Sequence, residues 1–185
     1  ARRQRQMCIR DRFPQGELFF MDSVRHYRQR IDDPALKKEI QGFIGQEAMH
    51  SREHVAYNDH LQAAGLPAHT LDKRLKFFLD LQKKHLPPSF NLAVTIALEH
   101  YTAMLAEILL SDPSRFGESL KGYQQMWYWH ALEETEHKAV AFDVWNTVIK
   151  PGPMRYLLRT GTMLTTTLLF WLCLLYTSPS PRDVE

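Results

Sequence analysis

Two Glu-x-x-His pairs, Glu47–His50 and Glu134–His137, are the residues of this chain best placed to do chemistry. Positions i and i+3 of an α-helix share a face, so each pair can turn a carboxylate and an imidazole towards one point. A lone glutamate stands in an earlier helical segment before each pair, Glu17 before the first and Glu99 before the second. One such pair is commonly just two solvated polar residues. Two of them, each with its upstream glutamate, form the ligand pattern of a dinuclear carboxylate site held among helices. Four carboxylates balance two divalent cations, and that neutrality is what allows such groups into a protein interior. Carboxylate and imidazole donors without thiolate suit iron or manganese, and zinc would also bind. The expected cofactor is therefore a pair of Fe ions, with Mn/Fe or Zn as alternatives.

Further donors surround these six. His130 lies four residues before Glu134 and shares its face, which makes it the preferred additional ligand. His54, one turn after His50, competes for that role. Gln46 and Glu133, each just before a metal glutamate, are expected to accept the outer N–H of the opposite histidine and so fix its tautomer. His100 cannot share a face with Glu99 and is assigned a structural or outer role. Tyr101 and Thr102 are candidates to line a substrate channel. His26, His60, His69 and His85 lack partners at ligand spacing and are expected at the surface.

The elements that must hold these groups are helices. Turn signals come at helical spacing and no segment alternates with period two for long. A first helix is expected from about Pro14 to Ile31, stopped by Asp32-Asp33-Pro34, which also caps a second from Pro34 to about Ala64. Gly65-Leu66-Pro67 ends that one. A shorter helix over about Leu71 to Lys84 would cross between the two halves of the molecule. Helices from about Ser89 to Leu110 and from about Gly117 to Ile149 carry the second ligand set. An additional apolar C-terminal helix, Met154 to Leu172, follows Pro151-Gly152-Pro153. The expected fold is all-α, a ferritin-like four-helix bundle with a crossover helix.

Several segments carry a resemblance. Phe13-Pro-Gln-Gly-Glu17-Leu-Phe-Phe20, Phe43-Ile-Gly-Gln-Glu47-Ala-Met-His50-Ser-Arg-Glu-His54, Glu99-His100-Tyr101-Thr102 and Trp129-His130-Ala-Leu-Glu-Glu134-Thr-Glu-His137-Lys resemble the bacterial family named "predicted metal-dependent hydrolase". The placing of His130 also resembles that of a seventh ligand in the di-iron arylamine N-oxygenases. The ligand set favours an O2-dependent di-iron oxidase or oxygenase acting on a small organic substrate. The family name implies the alternative, a two-metal-dependent hydrolase. A non-catalytic metal-binding protein is the third reading.

Composition bounds the rest. The chain has 185 residues, 23 basic and 21 acidic, with no long basic run, so nucleic acid is not an expected partner. Residues 1–12 and 173–185 read as translated sequencing-adaptor sequence, so the native domain is expected to occupy 13–172. Both cysteines, Cys8 and Cys173, fall in those ends, which leaves an interior suited to a reducing, cytoplasmic setting. Residues 160–172 are apolar but fall short of the roughly 20 needed to span a bilayer. Membrane association through that segment and a homodimer both remain open at this point.

Overall fold

A computed structural model describes residues 13–65, 68–112, 114 and 121–177, with the side chains of 13, 123 and 173–177 left aside. The described residues are all-α. In chain order the helices are α1 (Phe13–Arg25), a 3-10 turn (Arg28–Arg30), α2 (Pro34–Ala63), α3 (Ala68–His85), α4 (Pro88–Ser111), α5 (Lys121–His137), α6 (Val140–Val148) and α7 (Pro153–Thr177). The proposed non-native ends lie outside the described residues, apart from the backbone of 173–177.

Punctuation in the sequence sets most boundaries. Asp33 caps α2 by accepting the Ala35 N–H at 3.0 Å, and Pro34 fills the first helical position. Gly65 follows α2 with φ of 81°, a conformation that glycine adopts without the Cβ penalty. Two boundaries differ from expectation. The first helix ends at Arg25, and only a 3-10 turn continues towards Ile31. The long helix expected to reach Ile149 breaks at Lys138-Ala139, directly after His137, into α5 and α6. No proline or glycine marks that break. Buried residues flank it on both sides, His137 before and Val140 and Ala141 after.

The apolar core occupies one end of the molecule. Phe19, Val24 and Ile31 meet Ile40 and Phe43 of α2, Leu92 of α4, and Val144 and Trp145 of α6. Arg30 closes this end by donating to the Val148 carbonyl at 3.1 Å. A buried hydroxyl pair, Ser23 with Thr95 at 2.7 Å, ties α1 to α4. The expected crossover segment is α3, which packs against α1, α2 and α4 but buries only Ala68. Helix α7 packs on α4 and turns Leu157, Leu164, Leu168 and Trp171 outward. Among the described residues one helix, α4, is long and apolar enough to cross a membrane by length and composition. That helix carries the buried Glu99 and Thr95, and 39% of its apolar window is buried inside the molecule.

Trp145 is the largest fully buried side chain. Trp145→Ala should cost about 3–5 kcal/mol of stability. Chemical denaturation of the metal-free protein checks this, and a loss below about 1 kcal/mol would mean that the core is not organised around α6.

Candidate metal centre

Beyond Phe43 the interior changes character. Phe43 sets its ring edge-on to His137 at 5.0 Å, and past that contact buried acids and imidazoles gather, with Trp127 packed beside them. Helices α1, α2, α4 and α5 supply them. Glu17, Glu47, His50, His54, Glu99, His130, Glu134 and His137 are all buried, none more than 7% exposed.

The facing residues show that α2 and α5 run antiparallel. His137 Nε2 lies 3.3 Å from Glu47 Oε1, and one turn further along α2, His50 Nδ1 lies 3.8 Å from Glu134 Oε1. Another turn along, the rings of His54 and His130 are 5.0 Å apart. Read in opposite directions, Glu47-x-x-His50-x-x-x-His54 and His137-x-x-Glu134-x-x-x-His130 therefore complement one another, acid opposite base at two levels and imidazole opposite imidazole at the third. The outer helices complete the levels. Glu17 Oε1 of α1 sits 3.1 Å from His54 Nε2, and Glu99 Oε2 of α4 sits 3.3 Å from His137 Nδ1.

Two groups in this layer have donor atoms within 4.8 Å of one another: Glu47, His50, Glu134 and His137 in one, and Glu17, His54 and His130 in the other. Glu134 joins them, because its Oε1 is 3.2 Å from His130 Nε2. One oxygen each of Glu17, Glu47 and Glu99 lies within 3.3 Å of an imidazole nitrogen, and the other, Glu17 Oε2, Glu47 Oε2 and Glu99 Oε1, is buried without a hydrogen-bond partner. Buried polar atoms are ordinarily satisfied, and leaving this many unpaired is costly. Oxygen and imidazole donors converging in two adjacent groups fit two divalent cations, which would satisfy them together.

The electrostatics support this fit. Burial, followed by repulsion from Glu134 and Glu99, pushes the Glu17 pKa well above the ordinary carboxylate value. Burial and four neighbouring carboxylates do the same to Glu47. Burial raises Glu99 to about 7, although the adjacent His137 pulls the other way. For Glu134, burial is outweighed by His130, His137 and Thr102, and its pKa falls. Burial, then the neighbouring His130, lowers His50 to about 3, so its ring is neutral and able to ligate at physiological pH.

The outer contacts explain how the ligands are aimed. Glu133 Oε2 lies 2.9 Å from His50 Nε2, which leaves His50 Nδ1 facing the centre. Gln46 does not play the matching part for His137. It donates to Glu136 Oε2 at 3.1 Å at the surface, while both His137 nitrogens face carboxylates. Tyr101 points away from the centre, its hydroxyl 2.5 Å from Thr167 and its ring stacked on Phe170 of α7. Thr102 bonds back to the Glu99 carbonyl and also touches Glu134. His54 joins Glu17 and His130 rather than competing with His130, and its one-turn spacing from His50 was the available signal. His69 pairs with Asp59 at the surface, at 2.8 Å.

Raised carboxylate pKa values mean that metal-free protein holds protons where cations would sit. Metal binding must expel them, so affinity should rise as pH increases through about 7, the Glu99 value, with Glu17, Glu47 and His137, whose pKa values are also raised, adding to the proton release. His50, already neutral, should contribute no proton. Calorimetric titration with Mn(II) in buffers of different ionisation enthalpy measures the release, and an affinity independent of pH between 5.5 and about 7 would contradict the site.

Comparison with known proteins adds one result. A family model described as "Predicted metal-dependent hydrolase" matches residues 8–180. No curated protein and no solved structure matches the chain. The match covers every residue of the buried Glu/His cluster, and the chain belongs to the predicted metal-dependent hydrolase family.

Proposed function

We propose that the protein is a two-metal-dependent hydrolase whose centre is built from Glu17, Glu47, His50, His54, Glu99, His130, Glu134 and His137. The observation carrying this reading is the pair of adjacent donor groups joined by Glu134, in a chain of a metal-dependent hydrolase family. Two divalent cations there would supply Lewis acidity and acidify water, the chemistry by which dinuclear sites cleave esters, amides or phosphoryl groups.

The chain's own residues have definite work in this scheme. Glu47, Glu99, Glu17 and Glu134 neutralise the cations. Glu133 holds His50 in one tautomer. Its side chain is 21% exposed, which makes it the acid of this layer best placed to exchange protons with solvent. Helices α2 and α5 meet less extensively than α1 with α2 or α4 with α5, and polar Gln46, Glu133 and Glu136 line their seam. That seam is the proposed approach for a small substrate. Phe43, Trp127 and Trp129 lie against the ligand imidazoles and keep water from the other sides.

One observation favours a second reading. The donors are nitrogen and oxygen alone, on Glu-x-x-His pairs in a ferritin-like order, and all are shielded from water. Such a site also suits a di-iron or Mn/Fe pair that oxidises an organic substrate with O2. The hydrolase reading ranks first because the family match supports it.

The two readings separate cleanly. Metal-free protein reloaded with Zn(II) or Mn(II) under strict anaerobiosis should hydrolyse members of an aryl ester, anilide and aryl phosphate panel. Glu47→Gln should lower that rate by more than about a hundredfold, beyond the usual effect of an outer-sphere change. Activity confined to Fe(II)-loaded protein, with stoichiometric O2 uptake, would reject hydrolysis in favour of oxidation.

A further inference from the structure

Apart from the metal layer, a groove of about 460 Å³ runs along α4, walled by the Lys138-Ala139 turn, Phe142 of α6 and the Arg159–Met163 stretch of α7. Its apolar surface comes from residues such as Ala97, Phe142 and Met163. Three basic side chains line the same groove: His100, Lys138 and Arg159. No acidic side chain lines it among the described residues, and none of the three bases has an ion pair there. Arg159 is half-buried, with its guanidinium carbon 5.2 Å from the centroid of the Phe142 ring. The ring holds that cation at the groove wall but leaves its donor fork without a carboxylate.

This differs from an ordinary surface. Basic side chains usually lie among acids in a chain as nearly balanced as this one. Here three converge on one apolar concavity of a size typical for small-ligand sites. The groove stands back to back with the metal centre. His100 follows the buried Glu99, and Lys138 follows the buried His137, so each neighbouring pair has one residue in each site.

We propose that this groove binds an amphiphile with one acyl chain and an anionic head group. The chain lies along Ala97, Phe142 and Met163, and the head is held by Arg159 with Lys138 and His100. A carboxylate or a phosphate head satisfies the same donors. The ligand is bound without covalent change, and the site does not depend on which reaction the metal centre performs.

The test is calorimetric titration of the metal-loaded protein with dodecanoate, dodecyl phosphate and dodecanol, each below its micellar concentration. Either anion should bind at one per chain, and dodecanol at least about tenfold more weakly. Tighter dodecanoate binding would mark a fatty-acid source, and tighter dodecyl phosphate binding a lipid-phosphate source. Arg159→Gln should weaken the anions by at least about tenfold and leave dodecanol unchanged. Lys138→Gln, at an exposed position, gives a second reading if Arg159→Gln does not fold. Ala103→Phe should block all three ligands while metal content stays intact. Equal affinity for dodecanol and dodecanoate, or anion affinity unmoved by both charge-removing variants, would overturn the proposal.

Discussion

Everything in this molecule is arranged around four carboxylates that water cannot reach. Glu17, Glu47, Glu99 and Glu134 lie within one layer, each at most 3% exposed. Isolated ionised carboxylates in such a place would cost many kcal/mol each, so they must be protonated or matched by positive charge. Imidazoles divide on this: burial and the neighbouring His130 keep His50 neutral, while Glu99 and the other carboxylates around His137 outweigh its burial and raise its pKa. Protons hold those places in the metal-free protein, and divalent cations would replace them, which fits the convergence of the donors.

That constraint also explains the division of the interior. Phe19, Ile40, Leu92, Val144 and Trp145 make an apolar plug at one end, formed without any of the metal-layer residues. The polar layer begins at Phe43, whose ring touches His137. The plug can therefore hold the helices in register while the polar layer waits for its cations.

How much of this could be read in the chain depended on the range of the interaction. Glu47–His50 and Glu134–His137 are one-turn relations, visible as spacing on a single helix. Their upstream glutamates, Glu17 and Glu99, followed from the repeated order of the segments. The mutual role of His54 and His130 did not follow, because it arises from the antiparallel facing of α2 and α5. A choice between them is natural from sequence, and the structure brings both into the buried cluster. Gln46 went the same way: its position suits an outer acceptor, but the helix turn that places Glu133 near His50 leaves Gln46 beside Glu136. The break after His137 had no proline or glycine to announce it. Tyr101 was drawn to α7 by a partner late in the chain, Phe170, that no local pattern could indicate.

The central claim is that two cations sit in this layer, one in each donor group. Anomalous diffraction from crystals of Mn(II)-loaded protein, collected above and below the manganese edge, tests it most directly. The account predicts two anomalous peaks per chain, one among Glu47, His50, Glu134 and His137 and one among Glu17, His54 and His130. A single peak, or manganese only at surface groups such as Asp59 and His69, would contradict it.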